Sequence, residues 1–518
     1  MFMQCGDEKR LMMGVSRFVF CVLFFSLLVL GSLSWVSASN DHIVQGTTFD
    51  DINSTIRDAD DNDRILLGNN IYTSNGNSIR VINKTGLLIA GESDSQRAVL
   101  NANHISRIFI VDENSTVIFR FIDFINGNSS IGSGAAIRAS NTIIVENCTF
   151  RSNYGESGAG IFLASGAINS IINNSRFINN QGRYEGDDEH VEGGAVDTHA
   201  NHTTIINCYF ERNSALTTGG AINFATTTIG HRLINSIFID NYSPLGGAVR
   251  VSNSDAIIEG CTFTNNYANE TSGGALYIRY SNVIVRDCNF TNNHAYGSGG
   301  AAYIRNSDVI VEGCNFIDNY AYESGGAVYL LYSDVIVEGC NFTNNRAASN
   351  GGAIYDIANS PSFYLNIINS RFNDNRAVNG GAVYSESLLS IIDSNFISNR
   401  VSSGNTGGVY STNTKLIMGC VFTSNVGIGI RITGNNVIVR NNIFTGNSGH
   451  AIMSSNLQNA VINNNTIRNS GGTGLSITGN GNRIYNNTFT GNNMGVVANG
   501  NNLNFTNNRV SSSRSDGL

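Results

Sequence analysis

Proline is nearly absent from this 518-residue chain, and charged residues make up only 14% of it. The scarce charge sums to −8, which argues against nucleic acid and anionic membrane surfaces as partners. Neither a Cys-x-x-Cys nor a His–Cys pairing at metal-ligand spacing occurs among the cysteines, so the thiols do not read as a metal centre. No long apolar run follows the first 38 residues, so no later segment reads as a membrane span. Past those residues the composition is even, which reads as one elongated domain.

What is present in quantity is repetition. From Ser272 the chain reads SGGALYIRYSNVIVRDCNFTNNHAYG, SGGAAYIRNSDVIVEGCNFIDNYAYE, SGGAVYLLYSDVIVEGCNFTNNRAAS, with Gly pairs at Gly273, Gly299, Gly325 and Gly351, a step of 26 residues. A fixed period of this size marks a solenoid or array. Within a unit, a β-branched run (Val309-Ile310-Val311) is followed by Cys-x-Phe, an Asn-rich turn and Gly-Gly. Such runs, punctuated by Asn, Asp and Gly, are short strands with tight turns, and none is long enough for a helix. The expected fold is all-β, a single right-handed parallel β-helix with one unit per coil. Roughly 18 coils at about 4.8 Å would make a rod on the order of 85 Å.

The frame extends well beyond the near-identical units. Phe-x-x-Asn runs from Phe150–Asn153 to Phe422–Asn425, and Gly-Gly-Ala recurs at Gly193, Gly219, Gly246, Gly380 and the positions above. Each register position then becomes a ladder. The Phe residues fill the core, and the Asn residues (Asn266, Asn293, Asn319, Asn345) suit an inward turn, being tolerant of left-handed backbone and able to bond the amides stacked on either side. Cys148, Cys208, Cys261, Cys288, Cys314, Cys340 and Cys420 lie two residues before Phe, a slot taken by Ser175, Ser236, Ser370 and Ser394 elsewhere. That exchange describes a small buried position rather than a redox or metal site.

Candidate functional residues fall in two places. Tyr277, Tyr303, Tyr329, Tyr355, Tyr384 and Tyr410 follow the Gly-Gly frame, and strand alternation turns them outward. They form either an aromatic stripe for sugar rings or a protein surface, or a stack that stabilises the coils. The loop Gln181–Glu192 interrupts the pattern with Glu185, Asp187, Asp188, Glu189 and His190, and Asp197, His199 and His202 follow. It reads as a solvated acidic loop or as a divalent-cation or acid–base site, with Asp187, Asp188, Asp197 and His199 the candidate ligands. No cofactor is expected. Sequons such as Asn83, Asn201, Asn289 and Asn341 offer glycan sites on outward turns.

Four regions are expected: a leader over 1–38, a cap and first coils over 39–130, the Gly-Gly/Phe-x-x-Asn array over 131–425, and shorter coils with a tail over 426–518. In the leader, Lys9, Arg10 and Arg17 precede the apolar run Phe18–Leu33, and Val36-Ser37-Ala38 is a small-residue cleavage site. This is an export signal, cleaved after Ala38 or retained as an anchor. Thr48-x-x-Asp51 before Phe49, Ile52, Ile56 and Ala59 predicts a short capping helix across the open first coil. After Asn425 the Phe spacing falls to 22–23 residues, and Phe505–Asn508 reads as the last motif.

The pairing of Gly-Gly-Ala-aliphatic with Phe-x-x-Asn resembles the polymorphic outer membrane proteins of chlamydiae and the Asn- and Thr-rich adhesin-like surface proteins of methanogenic archaea, within the pectin-lyase-like β-helix superfamily. The chlamydial membrane barrel and the archaeal anchoring modules have no counterpart in this sequence. The resemblance implies an exported cell-surface protein that binds carbohydrate or a partner cell's surface protein without catalysis, touching a membrane only through its leader. The superfamily's polysaccharide lyases, hydrolases and epimerases supply the alternative. The Asp-Asp and His-Gly context of polygalacturonase-like enzymes does not occur around Asp187-Asp188.

Overall fold

The computed structural model describes residues 40–129, 132–183, 191–225, 227–358, 360, 362–402 and 405–515. The leader and the loop residues Glu185, Asp187, Asp188, Glu189 and His190 lie outside the described residues.

A coil follows directly from its residue pattern. In Asp308–Glu312, Val309 and Val311 point into the core while the alternate residues face out. The backbone turns at Gly313 (φ 63°), and Asn315–Ile317 buries Phe316. It turns again at Asp318 (φ 56°) into the two-residue strand Tyr320–Ala321, passes Gly325, and runs outward-facing Tyr329 along Val328–Leu331. The next coil starts at Asp334 in register: Asp308 faces Asp334, Phe316 faces Phe342, and Ala321 faces Ala347. The result is a right-handed parallel β-solenoid. Four ladders run along it, named here by content: an aliphatic ladder of 19 strands from Asp41–Ile43 to Asn504–Thr506, a phenylalanine ladder, a tyrosine ladder, and a short ladder of 11 two-residue strands.

The core is a column of rings. From Phe124 to Phe444, successive Phe centroids lie 4.7–4.8 Å apart and within 10° of parallel. Each buried ring contributes about 1.5–3 kcal/mol of hydrophobic stabilisation. The Gly-Gly pair is required by close approach: Gly299 adopts φ 69°, and a Cβ on Gly300 would lie 2.1 Å from the Gly326 carbonyl oxygen.

Beside the rings runs the asparagine ladder. Asn319 Nδ2 donates to the Phe290 carbonyl (2.9 Å) and to Asn345 Oδ1 (3.0 Å), while its own Oδ1 accepts from the backbone N–H and Nδ2 of Asn293. The left-handed residue is not this Asn but the one before it, Asn265, Asn292, Asp318 or Asn344. The ladder Asn is selected for its amide alone.

The Cys/Ser slot has a similar logic. The Cys148 N–H donates to Ser175 Oγ (3.1 Å), which donates to the Asn173 carbonyl (2.8 Å). The Cys288 N–H likewise meets Cys314 Sγ (3.4 Å), and Cys288 Sγ donates to the Arg286 carbonyl (3.2 Å). Any small side chain that accepts from the backbone N–H of the preceding rung fits. In the shorter coils Asn442 takes over, accepting from the Cys420 N–H at 2.8 Å, followed by Asn465, Asn487 and Asn508. This corrects the reading of Phe505–Asn508 as a final motif. Phe505 lies on the aliphatic ladder opposite Ile484, and Val510 takes the phenylalanine-ladder position opposite Phe489.

The helix Phe49–Asp58 closes the first coil. Thr48 and Asp51 form the reciprocal cap, and Phe49, Ile52 and Ile56 are buried. Asn53 bonds the exposed edge strand Ile79–Val81 as another strand would, donating to the Ser78 carbonyl (3.1 Å) and accepting from the Arg80 N–H (2.8 Å).

Candidate functional site

The residue four after the first Gly of each Gly-Gly-Ala, and three after Gly407 in the shorter Gly-Gly-Val, faces outward on the tyrosine ladder. The six tyrosines are in register, Tyr277 facing Tyr303 and so on to Tyr410. Each preceding residue (Leu276, Ala302, Val328, Ile354, Val383, Val409) is buried. The rings are not free platforms. Tyr277 is 6% exposed and the others are half-buried. Tyr277–Tyr303 and Tyr303–Tyr329 stack at 5.4 and 4.9 Å with planes within 6°. Tyr384–Tyr410 stack at 4.6 Å. The stack breaks at Tyr355, tilted 56° and 53° from its neighbours. Stacked rings present edges and hydroxyls to solvent, so this face offers a row of hydrogen-bonding groups over an apolar base, with flat surface only around Tyr355. Burial pushes the Tyr303 phenol up to about 12 and raises Tyr329, Tyr355 and Tyr384, so these hydroxyls stay protonated far above neutral pH.

The same column continues past both ends of the tyrosines. Arg431 follows Tyr410, its guanidinium 5.5 Å from the ring centroid. In the other direction stand Arg250, Asn223, Asp197 and Phe162. The aromatic signal ends at Tyr277, but the count of four from Gly193, Gly219 and Gly246 reaches Asp197, Asn223 and Arg250.

Here the repeat gives way to a polar cluster. Asn223 donates to Glu192 Oε2 and Asp197 Oδ1, both at 2.8 Å, and its Oδ1 accepts from Arg250 (2.9 Å). Arg250 also pairs with Glu192 Oε1 at 3.0 Å. His199 Nε2 lies 3.3 Å from Asp197 Oδ2, and that hydrogen bond holds the imidazole pKa above its usual value. Asp197 is 1% exposed. Of the loop's sequence-predicted ligands, Asp197 and His199 are thus brought together. Among the described residues no group of three or more His, Cys, Asp or Glu side chains could hold a metal ion.

The cysteines fall elsewhere. All seven described thiols are buried and unpaired with one another, and burial pushes Cys148, Cys208 and Cys420 up to about 12. They are inert packing groups.

Comparison with known proteins adds the following. Residues 220–397 and 382–518 match the family model described as a right handed beta helix region. A curated relative, metabotropic glutamate receptor-like protein R of Dictyostelium discoideum, is 30% identical over 191 residues, 33% of this chain and 12% of the relative. The chain therefore spans about an eighth of that relative's length. Among solved structures, PfbA, a surface adhesin of Streptococcus pneumoniae, aligns over 71% of this chain and 87% of its own at 13% identity and TM-score 0.36. A PL6 alginate lyase bound to a trisaccharide aligns over 76% and 85% at 11% identity and TM-score 0.30. Neither structural likeness bears on function.

Proposed function

We propose, from the premise that this chain belongs to the right-handed β-helix family, that it is an exported, surface-exposed binding rod that holds extended carbohydrate without altering it. The observation that carries this reading is the tyrosine ladder: six outward tyrosines on consecutive rungs of a rigid sheet, framed by Arg250 and Arg431. A row of protonated hydroxyls repeating at the coil spacing suits a polymer whose hydroxyls also repeat, and the ring edges beneath supply apolar contact. The rungs are preorganised by strand pairing, so little ordering accompanies binding. Export rests on the leader, with Lys9, Arg10 and Arg17 before Phe18–Leu33.

The test is retardation of the purified protein in gels containing a panel of polysaccharides, with polymer length measured afterwards. Tyr303→Phe with Tyr329→Phe removes two hydroxyls and keeps the stack. Retardation should weaken several-fold with the polymer unshortened. Unchanged retardation in this variant would overturn the assignment of the face.

A second reading, processing of the polymer, has one observation in its favour: Glu192, Asp197, His199 and Arg250 converge at the head of the tyrosine column. Their polar atoms are largely spent on one another, which favours a fastening for the loop over a reaction centre. Shortening of any polymer that disappears in Asp197→Asn would establish the second reading over the first.

A further inference from the structure

The short ladder carries a second outward column, one residue after the Asn of each Phe-x-x-Asn. It reads Tyr242, Tyr267, His294, Tyr320, Arg346, Arg376, Arg400. The last three place exposed guanidinium groups on successive parallel strands, facing one another in register. Like charges directly opposite each other on paired strands repel, and little in the protein relieves this. Among the described residues, Arg400 pairs with Asp374 at 3.4 Å, and Arg346 and Arg376 are in no ion pair. Arg346 rests over the Tyr320 ring at 5.6 Å. The three arginines, Tyr320, Asp318 and Asp374 line an open depression of about 530 Å³. Asp318 is bonded by Asn344 Nδ2.

The aromatic end of this column differs from the tyrosine ladder. Tyr296 and Tyr322 are 58% and 52% exposed, and Tyr322 meets Tyr320 edge-on at 4.7 Å. Ring faces are therefore available beside the guanidinium row.

We infer that this corner is a binding site for acidic polysaccharide, with Arg346, Arg376 and Arg400 each taking a carboxylate or sulfate of a successive sugar and Tyr322 receiving a sugar ring. A guanidinium fork pairs with carboxylate or sulfate bidentately. A coil rise of about 4.8 Å is comparable to the length of one sugar residue along a chain, so a polymer charged at every residue engages all three rungs. A small anion would engage one. The site lies on a different ladder from the tyrosine face and stands or falls separately.

The experiment measures affinity of the full chain for polygalacturonate, dextran sulfate, neutral dextran and single-stranded DNA at two salt concentrations. The variants are a triple Arg→Ala (Arg346, Arg376, Arg400), the corresponding triple Arg→Lys, and Tyr303→Phe/Tyr329→Phe. All three arginines are exposed, so folding should be unchanged, and melting curves check this. Expected is salt-sensitive binding to at least one acidic polysaccharide, weakened tenfold or more by the alanine triple, less by the lysine triple, and unaffected by the tyrosine pair. Which acidic polymer binds more tightly assigns the anion. The inference is overturned by equal affinity for neutral dextran, by DNA binding as tightly as either acidic polysaccharide, or by an alanine triple that binds like the parent.

Discussion

Replacing Asn319 by Ala should loosen the rod locally by about 2–4 kcal/mol. Two buried polar groups lose their partner, the Asn293 N–H and one hydrogen of the Asn293 amide, while the Phe290 carbonyl loses a second bond but stays paired in the ladder between Asn289–Thr291 and Asn315–Ile317. The Asn345 Oδ1 keeps the bond from the backbone N–H of residue 319. An orphaned buried group costs about 1–3 kcal/mol, and partial access of water trims the sum. Asn341→Ala is the control. That amide is exposed, donates only to Asn315 at 2.9 Å, and is readily replaced by water, so its loss should stay within about 0.5 kcal/mol. Because coils touch only their neighbours, the effect belongs in hydrogen exchange read peptide by peptide rather than in one melting temperature. Protection should fall in the rungs holding Asn293, Asn319 and Asn345 and persist in the first and last coils. A loss no larger than that of Asn341→Ala would refute the claim that the amide column fastens the coils. A uniform loss along the rod would refute the nearest-neighbour argument.

Three further outcomes are expected. Asp356 faces the core on the tyrosine ladder, bonded by Ser385 (2.6 Å) and Ser387 (2.9 Å), and burial raises its pKa to about 6 from 3.8. The folded form holds the proton more tightly, so the stabilisation is full below pH 3.8 and is lost as pH rises through 6. Two units correspond to about 3 kcal/mol, and exchange protection near residue 356 should drop over this window in the parent but not in Asp356→Asn. His231, stacked on Phe224 at 4.5 Å and bonded to Thr228, has its pKa pushed by burial from 6.5 down to about 4. Its sign is opposite: stability present above pH 6.5 is lost as pH falls through 4, again by about 3 kcal/mol, so protection near residue 231 should rise where that near residue 356 falls, and His231→Phe should abolish the rise. Finally, a thiol reagent at pH 8 should leave all seven described cysteines unmodified in the folded chain and label them on unfolding; labelling of Cys314 in the native state would contradict its burial.

Much of this was readable from the chain because one period was written many times. The 26-residue step, the alternation in Val309-Ile310-Val311 and the Thr48/Asp51 cap each have a local physical signature, and the structure places them as that signature requires. Positions defined only by what lies one coil away were harder. The turn after Ile317 shows why: its left-handed residue is Asp318, and neighbouring Asn319 is chosen by an amide 26 residues distant. Phe505 carries the motif's letters but sits on the wrong ladder, since register is set by the preceding coil and not by the motif. The arginine column is obscured in the sequence because Arg346, Arg376 and Arg400 differ in their local surroundings; the shared position four after Phe342, Phe372 and Phe396 brings them together. Asp356 had no signal, as a lone acid in an aliphatic slot looks like an ordinary turn residue.

The near-identity of successive units also bears on how such a molecule changes over generations. The near-identical rungs meet one another through the same contacts, so duplicating or deleting one unit between Gly273 and Gly351 leaves each remaining junction of a kind already present. The tyrosine and short ladders share those rungs. A single duplication would therefore lengthen both outer columns by one step at once, without refitting the core. The rod is a graduated scale whose reach is set by copy number, and selection on reach need not disturb what each graduation touches.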